Sequence, residues 1–291
     1  MKAVISLIRV NNWIKNLFIF IPLFFSADLF DYQKLSLTII VFIGFCFITS
    51  FVYIINDIFD KKFDKNHPTK YRRAIASGRV SISYGIAISL FFLISGCITI
   101  YIGSIECLLL SIVYVLLNIA YSYKLKKVAI IDMIIIAIGF IIRLFIGAYV
   151  GEIELTQWIV LLVFLLSLFI AIAKRRDDVY IFENDNKVNR DVVRQYSVNF
   201  MDMSMTMISS ILIMSYLLFI SSAEVIERYE NDYLYVTFFP VLIGILRYNQ
   251  IVYVFNKGGS PIKIIFKDIF LQLCVISWIV IFSLIIYNIP T

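Results

Sequence analysis

The chain has 291 residues, 61% of them hydrophobic and 16% charged, with a mean hydropathy of +0.91 and a formal net charge of +6. Soluble domains hold roughly 45–50% apolar residues, so this composition leaves no room for a sizeable soluble domain and predicts an all-α polytopic membrane protein. The net charge is the sum of one basic and one acidic face, as shown below, and suggests no nucleic-acid-binding surface.

Apolar stretches of about 18 residues or more read as membrane spans. Nine are predicted, over roughly 16–30, 35–56, 82–103, 106–121, 129–150, 156–173, 202–223, 233–255 and 268–288. With no low-complexity linker and no clear internal repeat, they form a single transmembrane domain over 1–291. The first span is the shortest and is interrupted by Pro22. It reads as a retained span, not a cleaved signal peptide. Trp13, Lys15 and Asn16 open it, and Trp13 suits an interfacial aromatic anchor. Cys46, Cys97, Cys107 and Cys274 lie within or beside apolar runs, form no CxxC pair, and read as small inert hydrophobes.

The second span runs into NDIFDKKFDKNHPTKYRRAIASGR at 56–79. Spacings of three and four residues place Asp57, Asp60 and Asp64 on one helical face, with Asn56 on its flank. Mg2+ binds through a few carboxylates together with phosphate oxygens and water, so the stripe suits a Mg–diphosphate. A solvated helix end paired with Lys61, Lys62 and Lys65 is the plainer alternative, but like charges on adjacent turns repel when no cation separates them. Pro68 ends the helix by forcing His67 out of the α region. His67 is the only histidine and reads as a phosphate contact, not as a base. Lys70, Arg72 and Arg73 follow, a point charge and two forks suited to phosphate oxygens. Positive-inside topology alone would also place basic residues in this loop.

Further along, Arg143 lies deep in the fifth span and Arg247 inside the eighth. A charge at membrane depth is expensive and usually faces a polar cavity. Snorkelling explains Arg247 more readily than Arg143. Lys174, Arg175 and Arg176, with Asp177 and Asp178, close the sixth span and read as a second anion site.

Sorting Lys and Arg by loop gives orientation. The N-terminus and the loops around 61–79, 124–127, 174–194 and 257–267 are basic, whereas the alternate loops carry Asp28, Asp31, Glu106, Glu152, Glu154, Glu224, Glu227, Glu230 and Asp232. The positive-inside rule then puts the N-terminus and the basic loops in the cytoplasm and the C-terminus outside the cell membrane.

At these residues the sequence resembles the UbiA superfamily of membrane prenyltransferases. Within it, the sequence is most similar to the subgroup of decaprenyl-phosphate phosphoribosyltransferases. The resemblance rests on WIKNLFIFIPLFFS at Trp13–Ser26, the aspartate segment at Asn56–Gly78 and YSYKLKKVAIID at Tyr121–Asp132. It continues through GFIIRLFIGA at Gly139–Ala148, AKRRDD at Ala173–Asp178 and the stretch Gly244–Gln272. It implies Mg2+ on Asp57, Asp60 and Asp64, with phosphoribosyl diphosphate and a polyprenyl phosphate as substrates in a membrane lipid setting. It also implies substrate contacts from Lys15, Asn16, Tyr121, Lys126, Arg143, Lys174, Arg175, Asp178 and Arg247. Two departures stand out. Ala74 occupies a position where the subgroup has proline, and the second aspartate motif of aromatic prenyltransferases is replaced by Lys174-Arg175-Arg176. The expected reaction is transfer of 5-phosphoribose to polyprenyl phosphate, giving a lipid-linked pentose donor for cell-surface glycans. An aromatic prenyltransferase is the alternative. A transporter is a more distant one, since transporters usually place ionisable residues near the midplane.

Overall fold

The computed structural model describes residues 2–65, 70–185, 191–259 and 261–287. His67, Pro68, Lys187, Arg190 and Thr291 lie outside the described residues. Those described are predominantly helical and contain no strand, and nine of their segments are long and apolar enough to cross a membrane. The expected all-α class and span count are therefore borne out. By internal packing the chain divides into two compact units, Met1–Leu155 and Thr156–Thr291.

The first unit contains α1 (Lys2–Ile8), α2 (Ile21–Phe25), α3 (Tyr32–Phe59), α4 (Lys61–Lys65), α5 (Ile82–Tyr101), α6 (Ile105–Tyr123) and α7 (Ile131–Gly151). Its first span differs from the expected 16–30. It covers Val4–Phe25 and is built in three pieces: α1, an eleven-residue 3-10 helix over Val10–Phe20, and α2 with Pro22 in its first turn. Arg9 joins the first two pieces in the left-handed region at φ 56°. Polar residues at 11–12 and proline at 22 deny this stretch a continuous apolar α-helix. Side-chain caps start α3, α5 and α6. Asp31 accepts from the Gln33 and Lys34 amides at the head of α3, and Ser81 and Ser104 do the same for α5 and α6. The core gathers Ile19, Phe45, Ile48, Ile100, Tyr114 and Ile146. The 3-10 segment reaches α7 closely because position 147 is glycine: a Cβ there would stand 1.9 Å from the Ile19 carbonyl oxygen.

The second unit contains α8 (Gln157–Asp185), α9 (Val198–Ile220), α10 (Ala223–Tyr229), α11 (Phe238–Tyr253), α12 (Pro261–Lys267) and α13 (Ile269–Tyr287). Helices α8 and α9 pack together, as do α11 and α13, and Phe219 and Phe282 are fully buried in the interior. The sixth span was expected to end at 173, but α8 continues without a break to Asp185. Charged helix formers extend it beyond the apolar window, where hydropathy no longer marks it. In both units long apolar side chains remain outside, among them Phe91, Ile94 and Ile98 on α5 and Leu273, Ile276 and Val280 on α13. Contiguous apolar faces of this kind suit contact with lipid tails.

Candidate active site

The aspartate segment begins at the end of α3, where Asp60 is the C-cap and α4 resumes one residue later. At 3.6 residues per turn, seven residues rotate through almost two full turns, whereas three leave a side chain about 60° off that line. Asp57 and Asp64 therefore lie almost in line, with Asp60 at the edge of the same face, and the partners of each decide how they group. Both Asp57 and Asp64 are 2% exposed. The Arg73 Nη1 group donates to Asp57 Oδ1 at 3.0 Å and to Asp64 Oδ2 at 2.7 Å. A second guanidinium, that of Arg9, donates to the same Asp57 oxygen and lies 5.2 Å from the centre of the Tyr53 ring.

Asp60 faces another partner. Its Oδ1 pairs with Lys126, and its Oδ2 accepts from Asn56 Nδ2 at 3.2 Å. Asn56 in turn accepts from Ser122 Oγ at 3.0 Å. The expectation that all three aspartates form one ligand stripe is corrected here. Among the described residues no three acidic, histidine or cysteine side chains gather closely enough to share an ion. Two carboxylates converge on one cation, and the third is held apart by Lys126.

The loop after α4 is fixed by an apolar anchor. Ala74 and Ile75 are buried with Leu7, Ile54 and Val80, which folds the loop back on α1 and α3 and places Arg73 over the carboxylates. Ala74, in the place of the subgroup's proline, is thus part of that anchor. Arg72 is exposed and bonded to the Tyr71 hydroxyl, away from the aspartates. Lys70 is half-buried on the same short turn. Tyr121 is half-buried beside Ser122.

Deeper in this unit, Arg143 is 4% exposed. It donates to Asn16 Oδ1 at 2.9 Å, to the Gly139 carbonyl at 2.5 Å and to the Tyr114 hydroxyl at 3.1 Å. The Phe45, Tyr114 and Phe140 rings surround its guanidinium at 4.8–5.4 Å. No carboxylate among the described residues pairs with it. Asn16 is fully buried and also donates to Cys46 and Thr49, so it orients Arg143 within the core. Lys15 is half-buried, feels the charges of Arg9 and Arg143, and has no ion pair among the described residues.

In the second unit the five charged residues 174–178 are spread around α8 and do not converge as the single anion site expected. Lys174 is exposed. Arg175 pairs with Asp178 at 2.8 Å. Arg176 pairs with Asp202 at 2.8 Å and donates to Asn256 at 2.5 Å. The Asp177 carboxylate accepts from the backbone of Gly258 and Gly259. A Cβ at position 259 would lie 2.1 Å from Asp177 Oδ2, so the docked loop requires glycine there. Arg247 is bound to Asp268 at 2.7 Å and to Gln250, and its hydrogen bond holds the Asp268 carboxyl below its usual range. The sequence reading missed Arg9, Ser122, Asp202, Asn256 and Asp268 as partners. Arg9 had registered only as a topological charge, and its partner Asp57 is 48 residues away.

Known proteins resemble this chain over most of its length. The model of the UbiA prenyltransferase family matches residues 17–266. The chain belongs to the UbiA prenyltransferase family. Among UbiA relatives, it is 29% identical to the decaprenyl-phosphate phosphoribosyltransferase of Corynebacterium glutamicum, covering 99% of this chain and 88% of that protein. It is 27% identical to the protein of the same name from Mycobacterium tuberculosis, over 95% of this chain and 92% of that one. A UbiA homologue from Archaeoglobus fulgidus bound to GPP and Mg2+ superposes with a TM-score of 0.70, covering 98% of this chain and 99% of that one at 18% identity. That similarity establishes the shared fold. The protein is an integral membrane transferase of the UbiA type, and the transporter reading falls away.

The donor set fits a divalent ion. Asp57 and Asp64 already meet at one positive point, and Mg2+ commonly needs only one or two protein carboxylates when substrate phosphates complete its shell.

Proposed function

We propose that this protein transfers 5-phosphoribose from phosphoribosyl diphosphate to a polyprenyl phosphate and releases diphosphate. The observation that carries this reading is similarity over nearly the whole chain to two relatives named as decaprenyl-phosphate phosphoribosyltransferases. Asp57 and Asp64 would hold Mg2+, which when bound supplies charge neutralisation at the leaving diphosphate. Arg9 and Arg73 stand beside that point and suit the phosphate oxygens. Asn56 and Ser122 hold Asp60, and Asp60 positions Lys126 as a further cation. Lys15, without an ion pair among the described residues, suits a remaining phosphate group. Lys70, Lys174 and Arg175 are further candidate phosphate contacts.

In the reaction an oxygen of the acceptor phosphate forms a bond to the anomeric carbon. The bond from that carbon to the diphosphate oxygen breaks, and its electron pair leaves with diphosphate. The acceptor phosphate is anionic at neutral pH, so no side chain has to remove a proton. Its lipid tail would lie along the outward apolar helix faces. Charge asymmetry supports a cytoplasmic N-terminus, an external C-terminus and chemistry on the cytoplasmic side of the cell membrane. The product would be a lipid-linked pentose donor for glycan assembly.

The test is purified protein with Mg2+, labelled phosphoribosyl diphosphate and polyprenyl phosphate, followed by lipid extraction. Label in the lipid phase, abolished by chelator, is expected. No label there, together with prenylation of an aromatic acid from a prenyl diphosphate, would replace this reading with an aromatic prenyltransferase.

A further inference from the structure

The two carboxylates assigned to the metal are covered from their open side. Asp57 and Asp64 are almost wholly buried, whereas the Arg9 and Arg73 side chains above them remain 19% and 26% exposed. Two guanidiniums balance two carboxylates, so the cluster is close to neutral without an ion. A bare divalent cation entering this cluster would leave two guanidiniums beside it with no anion to receive them. Such an uncompensated excess of charge is costly at a half-buried site. A cation that arrives with a diphosphate brings the missing anion: the carboxylates turn to the metal and the guanidiniums turn to the phosphate oxygens. Both arginines are placed for that exchange. Arg9 sits at the left-handed junction between α1 and the 3-10 helix. Arg73 precedes the Ala74-Ile75 anchor, so its backbone is fixed while its partly exposed side chain is free to turn.

We propose that Arg9 and Arg73 are internal counter-cations that keep free divalent metal off Asp57 and Asp64, so that the metal enters only together with a diphosphate, to which the two guanidiniums then transfer. This rests on the metal role assigned above and adds a condition for metal uptake and a function for Arg9. The diphosphate group is common to phosphoribosyl and prenyl donors, so the inference does not depend on which donor is used.

The experiment is equilibrium dialysis of radiolabelled Mn2+ against the full chain in nanodiscs, with and without inorganic diphosphate. Specific uptake is defined as that lost in Asp57→Asn. The wild type is expected to take up bare Mn2+ weakly, and diphosphate should tighten uptake by at least about tenfold, the scale of one or more charge-assisted contacts. Arg9→Gln and Arg73→Gln should shift in opposite senses for the two ligands, with tighter bare Mn2+ and weaker Mn2+–diphosphate. A residue that merely stabilised the fold would weaken both. Wild-type uptake of bare Mn2+ as tight as with diphosphate would overturn the proposal, and that comparison needs only the Asp57→Asn reference to be folded and inserted. So would variants whose affinity for bare Mn2+ is unchanged or reduced. Absence of specific Mn2+ under every condition would sink this proposal and the metal role together. Diphosphate-dependent uptake with no phosphoribose reaching lipid would instead sink only the donor assignment and leave the counter-cation role intact.

Discussion

At the scale of single residues, the three aspartates separate into two classes. Asp57 and Asp64 meet at the Arg73 nitrogen, whereas Asp60 is held by Lys126 and Asn56. An amide is a far poorer ligand for a hard cation than a carboxylate. Asp57→Asn and Asp64→Asn are each expected to lower kcat/KM by at least about 100-fold, and Asp60→Asn by about tenfold. The lipid-transfer assay measures this, and equal losses at all three positions would make Asp60 a ligand as well. Arg143 poses a different question, because it is a buried cation with no carboxylate partner among the described residues. Its guanidinium instead satisfies Asn16 Oδ1, the Gly139 carbonyl and the Tyr114 hydroxyl. Arg143→Met strands those buried groups and should cost about 1–3 kcal/mol of stability while also losing at least about tenfold in kcat/KM. A large fall in melting temperature with full activity would assign Arg143 to the fold alone.

Between elements, a close approach lies where the 3-10 helix of the first span crosses α7. Gly147→Ala places a methyl group against the Ile19 backbone, and either the helix or the 3-10 segment has to move. The expected loss is about 1–3 kcal/mol of stability, read as a lower melting temperature in detergent. Gly244→Ala, whose added Cβ would meet nothing nearer than 3.4 Å, is the matched control and should be tolerated. The same crossing shows what the sequence could convey. The spans were legible because lipid demands about 20 apolar residues per crossing, and the candidate site stood out because carboxylates and basic residues crowd one helix end. The shape of the first span was not legible, since hydropathy does not distinguish a 3-10 helix from an α-helix. The continuation of α8 past residue 173 was hidden for the converse reason: charged residues form good helix but end the apolar signal. Arg9 could not be matched to Asp57 from spacing, because tertiary packing makes that pair. Asp60 was grouped with the other aspartates by its spacing, and Lys126, 66 residues later, decides its actual place.

On the scale of the whole molecule, alternation of basic and acidic loops predicts the orientation. In a cysteine-free background, a cysteine at Lys62 or Lys127 should resist an impermeant thiol reagent in intact cells and react after lysis, whereas one at Glu227 should react in intact cells. Labelling of position 62 from outside would invert the scheme. One helix also offers a way to locate the membrane along the chain. Helix α8 has 29 residues, about 43 Å at 1.5 Å per residue, against a hydrocarbon core of about 30 Å. It outruns the bilayer by about two turns at its charged end. A fluorophore moved along its outward side, from Leu161 and Leu166 to Glu183, all of them exposed, becomes a depth gauge. Spin-labelled acyl chains should quench it strongly at the first two positions and scarcely at the third, and the position where quenching fades marks the water boundary.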